Sequence, residues 1–259
     1  MLDLKHRGVI LALTVVLIVV GVQASQEPTA SQVATAAQLA SPLPAPPYET
    51  RPVHDPNGTG RFYMGREIAQ LMGPGGIPWL DRPEREVEER PEALLAALEL
   101  RGGEVVADLG AGSGYFAFRI APKVGRTGRV LAVDIQNEML ETLRRRATAL
   151  NATNVEVVQA IENDPRLPVN GVDIVLMVDV YHELAYPFEV MTKVRNALKP
   201  GGRVVFVEYR KEDPQVPIKE VHKMSLEQIE KEMGIVALAR SRTVETLPWQ
   251  HIVIFEKSQ

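Results

Sequence analysis

No cysteine occurs among the 259 residues. That absence excludes disulfides, thiolate metal ligation, a cysteine nucleophile and a lipoprotein anchor on cysteine. It leaves the redox compartment open, since a cysteine-free chain is safe in either. Charge of one sign is also scarce: 29 Lys and Arg against 33 Asp and Glu give a net −4, and the two signs are interspersed. With no basic stripe to meet phosphates, nucleic acid is not an expected partner. Histidines are few, 5 in all. His54, His182 and His222 share no helix at ligand spacing, so no metal site is expected even though Asp55, Asp179 and Glu183 stand close to them in the sequence.

The length suits one α/β domain with extensions. At the N-terminus, Lys5, His6 and Arg7 precede the uncharged run Gly8–Val22, and Gln23-Ala24-Ser25 follow. A basic start, a short apolar core and small residues at Val22 and Ala24 read as a secretory signal peptide over residues 1–24. The run is shorter than the ~20 residues that comfortably span a bilayer, although uncleaved it would serve as a membrane tether through residues 8–22. Residues 25–52 are rich in Ala, Ser, Thr, Gln and Pro, and read as a linker. Export plus a linker implies a domain working outside the cytoplasm, in the periplasm or facing outward from a membrane. Residues 53–83 are expected to form a lid-like, helical extension. Arg61–Met72 is its first helix, and Tyr63, Met64 or Arg66 are the residues that would meet a substrate. Residues 84–259 form the main domain, opening with a helix over Glu84–Leu100.

The main domain is organised around Glu104–Tyr115, EVVADLGAGSGY. An apolar strand ends in Asp108, glycines follow at 110, 112 and 114, and an apolar helix begins near Tyr115. Strand, glycine turn and helix N-terminus make the geometry of a nucleotide-type cofactor site. The spacing is G-x-G-x-G where a dinucleotide loop usually has G-x-G-x-x-G. The Asp108 carboxylate opposes a pyrophosphate and suits a cationic ligand. S-adenosylmethionine is such a ligand, with an ammonium, a sulfonium and no phosphate.

Continuous apolar strands alternating with helices follow: Arg129–Asp134, Asn137–Leu150, Asn154–Gln159, Val172–Asp179, Phe188–Leu198 and Arg203–Glu208. They predict a mostly parallel sheet covered on both faces. The tail, a helix at Ser225–Met233 and then strands at Ile235–Arg240 and Trp249–Glu256, predicts an antiparallel pair at one edge. DLGAGSGY, Asp134, the apolar strand ending in Asp179 and LKPGG at Leu198–Gly202 together resemble the class I S-adenosylmethionine-dependent methyltransferases. The N-terminal segment and the phrases VDVYHEL and HKMS are similar to an exported bacterial subgroup. The resemblance implies a Rossmann-like α/β fold with a seven-stranded, mostly parallel sheet, an antiparallel edge strand and an N-terminal helical extension. It also implies S-adenosylmethionine as cofactor and a small- or medium-molecule methyl acceptor.

Residue by residue, the resemblance implies that Asp108, Gly110, Ala111, Gly112, Gly114 and Tyr115 hold the methionine part. Asp134, followed by Ile135, would accept the ribose hydroxyls; the competing role for Asp134 is to cap the next helix. Ile161 stands where the family usually has the Asp that bonds adenine. Glu162, Asn163 or Asp164 would then take that contact, or Ile161 would give adenine an apolar wall. Asp179, at the end of the fourth strand, borders both ligands. Tyr181, His182 and Glu183 are the acid–base groups facing the acceptor, with His182 best matched to neutral pH. The competing role for His182 is a structural hydrogen bond closing the strand. Glu208, Tyr209 and Arg210 lie at the same edge. Two other functions remain open: a domain that binds the cofactor and transfers nothing, and an NAD-dependent oxidoreductase, which the loop spacing and Asp108 disfavour.

Overall fold

A computed structural model of the chain describes residues Tyr48–Lys257. The expected signal or anchor segment and most of the expected linker lie outside the described residues. Among the described residues, no helix is long and apolar enough to cross a membrane.

The main sheet is built from β4 (Val105–Leu109), β5 (Arg129–Asp134), β6 (Val155–Gln159), β7 (Val172–Val178), β8 (Leu198–Arg210), the short β9 (Lys223–Met224), β10 (Leu238–Val244) and β11 (Gln250–Lys257). Their order is β10-β11-β8-β7-β4-β5-β6, with β9 on the end of β8. β4 through β8 pair in parallel, whereas β11 runs antiparallel to both β8 and β10. The antiparallel pair thus sits at one edge, with β10 outermost. The central strands are apolar throughout because each face is covered, and the period of two sends alternate residues to different cores. Val175, Met177, Val204 and Phe206 enter one core. Ile174, Leu176, Val205 and Val207 enter the other.

Helix α4 (Ala117–Val124) and helix α5 (Asn137–Ala149) cover the second core through Ile120, Val124, Leu140 and Leu143. On the opposite face, α6 (Pro187–Ala197) and α7 (Leu226–Ile235) bury Met191, Val194, Ile229 and Met233. The chain leaves β4 toward β5 and β6, then returns to β7 on the other side of β4. That reversal opens a crevice at the carboxyl ends of the strands, where open α/β sheets take their ligands.

The front of the domain departs from the expected helices. Tyr48–Thr50 (β1), Gly58–Tyr63 (β2) and Arg66–Ala69 (β3) form a separate antiparallel sheet. Arg61–Met72 is therefore a hairpin followed by a strap. Met64 (φ 50°) and Gly65 (φ 95°) both occupy the left-handed region, the pattern of a tight hairpin turn whose twist matches its strands. Tyr63 and Ile68 then enter the first core. The hairpin is pinned by a buried network. Arg66 donates to both Glu232 oxygens (2.8 and 3.0 Å) and to the His182 carbonyl (3.1 Å), and Tyr181 donates to Glu232 at 2.6 Å.

Three short helices follow: α1 (Ile77–Leu80), α2 (Arg85–Glu88) and α3 (Pro91–Ala97). The single helix expected over Glu84–Leu100 is broken at Arg90, whose φ is 49°. Pro91 is the cause, because it lacks an amide hydrogen and keeps the preceding residue out of the helical region.

Candidate functional site

A cleft of about 720 Å³ opens at the carboxyl ends of β4, β5 and β7 and is roofed by the front segment. At its floor is the glycine loop. Gly110 has φ +75°, and a Cβ there would lie 2.5 Å from Val180 Cγ2; at Gly112, φ is +54° and a Cβ would lie 2.9 Å from Leu80. Backbone angle and the closely packed Val180 and Leu80 side chains both demand glycine, and Gly110 and Gly112 line the cleft.

Asp134 ends β5 and lines the cleft. One carboxylate oxygen accepts the Gly112 amide and the other the Gln136 amide, each at 2.9 Å. The N-cap position of α5 is Gln136, whose side chain makes no capping bond, and Asp134 lies two residues before it. A carboxylate offers about four lone-pair positions, so each Asp134 oxygen keeps one free. Burial raises its pKa above the usual carboxylate range.

Asp108 lies beneath the loop, buried, with Oδ2 lacking any hydrogen-bond partner. Burial pushes its carboxyl up to about 7. Asp179 is buried as well. Its Oδ2 accepts from Gln250 at 3.0 Å and its Oδ1 is unpartnered. Burial and the nearby Glu89 carboxylate hold it well above its ordinary value. Its φ of 54° turns the chain sharply out of β7 and brings the next turn, Tyr181–Glu183, to the sheet edge. Asp179 lines the cleft and Asp108 lies behind it; burial disfavours the charged form of both, and a cation bound nearby would favour it.

The remaining predicted cofactor contacts divide. Ile135, Ile161 and Glu162 line the cleft, whereas Ala111, Gly114 and Tyr115 do not. Tyr115 faces outward and donates to Glu86 at 2.8 Å. Of the groups considered at the Ile161 turn, Asp164 is engaged elsewhere: it accepts from Lys193 (2.7 Å) and from the Arg166 amide (2.8 Å). Glu162 is the carboxylate of that turn at the cleft, beside the Ile161 side chain.

Past Asp179 the cleft reaches a second cluster. His182 is buried, and its Nδ1 lies 2.6 Å from Glu208 Oε2. Its Nε2 points to His222 Nδ1 at 3.1 Å. Glu183 Oε1 lies 3.9 Å from His182 Nε2 and 3.6 Å from His222 Nδ1. Burial lowers the His182 pKa, but the Glu208 charge outweighs it and holds the imidazole above the ordinary histidine value. Burial pushes Glu183 up to about 7; His222 is pushed down to about 4 by burial and by His182. Tyr181 is absent from the cleft, because its hydroxyl is buried against Glu232. Tyr209 lines the cleft, Glu208 stands behind His182, and Arg210 is turned toward Glu245 at 2.9 Å.

A family profile described as a methyltransferase domain matches residues 100–253, more than half of the chain and including the glycine loop, Asp134 and the cluster just described. The chain belongs to this methyltransferase family. It is similar to a crystal structure of an S-adenosylmethionine-dependent methyltransferase from Aquifex aeolicus, with 28% identity, a TM-score of 0.67, and coverage of 71% of this chain and 98% of that one. It is 36% identical over 161 residues to an uncharacterised 37.1 kDa protein in a transposon of Streptomyces fradiae, covering 58% of this chain and 46% of that protein. It is 33% identical over 113 residues to the ubiquinone/menaquinone biosynthesis C-methyltransferase UbiE of Pseudomonas putida, covering 43% of this chain and 44% of that enzyme. The chain thus spans about half the length of the curated relatives it matches. Family and neighbours together give the enzyme class, methyltransferase, and the cofactor, S-adenosylmethionine.

Two parts of this methyltransferase's site escaped sequence reasoning. The glycine loop is clamped from outside by Asp81, which accepts from Ser113 Oγ at 2.8 Å and pairs with Arg146 of α5. The strap after β3 crosses the cleft through Met72. Its carbonyl accepts from Gln136 Nε2 at 3.0 Å and its amide donates to Glu183 at 3.3 Å. The front segment does meet the cleft, but through Thr59, Arg61, Leu71, Met72 and Trp79 rather than Tyr63, Met64 or Arg66. The breaker-rich Met72–Pro78 stretch was the available signal for a strap.

Proposed function

We propose that the protein moves a methyl group from S-adenosylmethionine to a small- or medium-sized acceptor seated between the His182–Glu183–His222 cluster and the front segment. The observation that carries this reading is the single cleft joining Asp134 at one end to that cluster at the other. Its volume falls within the ~300–1,000 Å³ typical of small-molecule sites.

The residues present fit the cofactor. Asp134 keeps free lone pairs for two ribose hydroxyls, and Ile135, Ile161 and Glu162 border the adenine end. Gly110 and Gly112 line the cleft beside Asp179, whose spare oxygen would be stabilised in its charged form by a ligand carrying positive charge. When bound, S-adenosylmethionine supplies an electrophilic methyl group on a sulfonium. The protein's part is chiefly alignment, since holding two reactants in line replaces a costly encounter. His182, fixed by Glu208, and Glu183 face the acceptor's polar group. The Met72 strap ties the two ends through its bonds with Gln136 and Glu183.

The test is release of S-adenosylhomocysteine from the full-length protein with acceptors of distinct classes: phenols, amines, thiols and enolisable carbonyls. Turnover with one class supports the reading. Cofactor binding without product from any class favours a catalytically silent binding module. We also propose that the domain is exported and tethered or released through residues 8–22, on the strength of the basic, apolar and small-residue pattern there. Cell fractionation tests it: recovery of the protein only in the cytoplasmic fraction contradicts export.

A further inference from the structure

The cluster of His182, Glu183 and His222 has the features of a metal centre. The three inward atoms are His182 Nε2, His222 Nδ1 and Glu183 Oε1, separated by 3.1, 3.6 and 3.9 Å. The centre of that triangle is about 2.1 Å from each corner, the length of a bond from zinc to an imidazole nitrogen or a carboxylate oxygen. These ligand atoms are the only group of its kind among the described residues.

The surroundings match the role. A ligating histidine usually donates its other ring nitrogen to a carboxylate, which fixes the tautomer and orients the lone pair. His182 does this: Nδ1 lies 2.6 Å from Glu208, a fully buried residue whose other oxygen accepts the Tyr181 amide at 2.8 Å. The Glu183 carboxylate is steadied by the Met72 amide through Oε2, which leaves Oε1 toward the imidazoles. All three residues also line the cleft, so a bound ion would keep a face open to it. Two imidazoles and one carboxylate suit a borderline first-row cation such as zinc, rather than magnesium or calcium, which prefer oxygen ligands. Closed structural sites use four protein ligands, whereas three with an open position is the arrangement of sites that act on a ligand.

We propose that His182, Glu183 and His222 bind one divalent transition-metal ion, whose open position takes an oxygen or sulfur atom of the methyl acceptor. The metal site stands on its own geometry; the acceptor's place on it rests on the methyltransferase reading. It supersedes the expectation of no metal, which was based on helix spacing alone. The ligands here come from two separate turns.

The experiment is calorimetric titration of the chelator-treated, full-length protein with zinc, with cobalt absorption spectra as a second readout. The expected result is one equivalent of zinc per chain and visible cobalt bands. His222→Ala, at the partly exposed ligand, is expected to weaken zinc at least ~100-fold, and Glu208→Gln about 10–100-fold, the usual effect of losing an outer partner. Thermal melting confirms that each variant is folded. Folded wild type that binds no zinc overturns the proposal. So does zinc affinity unchanged by both His222→Ala and Glu183→Gln, the outcome expected if the two imidazoles only hydrogen-bond each other. S-adenosylhomocysteine titrated into the same samples separates the two readings. Zinc binding without the nucleoside leaves the metal centre standing and removes the methyltransferase reading, and the reverse result removes only the metal.

Discussion

At one end of the cleft, Asp134 and the glycine loop hang on the ends of neighbouring parallel strands, within one continuous stretch from Val105 to Gln136. At the other end, His182, Glu208 and His222 come from three different segments, and the front hairpin reaches them across 116 residues through the bond from Arg66 to the His182 carbonyl. The first end is made by local backbone geometry, the second by long-range packing. Cofactor recognition should therefore depend on a few local backbone and carboxylate features. Acceptor recognition should depend on the integrity of the whole front of the molecule.

The largest expected effect attacks the packed end. Glu232→Ala leaves the Arg66 guanidinium buried without its partner. Breaking one half of a buried pair costs about 3–5 kcal/mol, read as a lowered urea midpoint, with the front hairpin losing hydrogen-exchange protection first. A midpoint unchanged from wild type would remove the network from the account. Next, Gly110→Ala attacks the local end. The left-handed backbone costs an alanine roughly 1–2 kcal/mol, and the clash with Val180 adds to it. S-adenosylhomocysteine affinity is expected to fall about 5–30-fold as the loop leaves its binding conformation to relieve that strain, with the acceptor-end cluster left in place.

A smaller effect concerns pH. Asp108 has its folded pKa raised to about 7 by burial, above an unfolded value of about 3.9. The folded state therefore binds its proton more tightly. The stability this contributes is complete below about pH 4 and is lost as pH rises through about 7. In the unliganded protein, Asp108→Asn is expected to add about 1–3 kcal/mol at pH 8, the usual cost of a buried unsatisfied group, and almost nothing at pH 4. Melting curves at the two pH values check this; equal shifts at both would contradict it. The smallest effect tests the independence of the two ends. His222→Ala is expected to leave S-adenosylhomocysteine affinity within about 2-fold, as for sites with no shared partners.

The same division explains what the sequence made legible. The parallel sheet, the glycine loop and the position of Asp134 were readable because apolar strands, glycine spacing and strand ends are local signals. The front hairpin was not, because Phe62, Ile68, Ala69, Leu71 and Met72 also fit one face of a helix. Only Gly65, which permits the tight turn, spoke against a helix. The break at Arg90 was written in Pro91. The meeting of His182 with His222, 40 residues away, depends on β8 and β9 bringing two turns together, and no local pattern encodes it. Ser113 stands between two glycines, and its bonds with Asp81 and Arg146 make it part of the clamp on the loop, a long-range feature that no local pattern encodes.

The most direct test of the central claim, that Asp134 and the glycine loop form the S-adenosylmethionine end of one cleft, is calorimetric titration of the full-length protein with S-adenosylhomocysteine, wild type against Asp134→Ala. Each hydrogen bond to a charged carboxylate is worth about 1.5–3 kcal/mol. Micromolar binding is expected in the wild type, weakening by at least ~10-fold in the variant. No binding to folded wild type, or equal binding by both proteins, would contradict it.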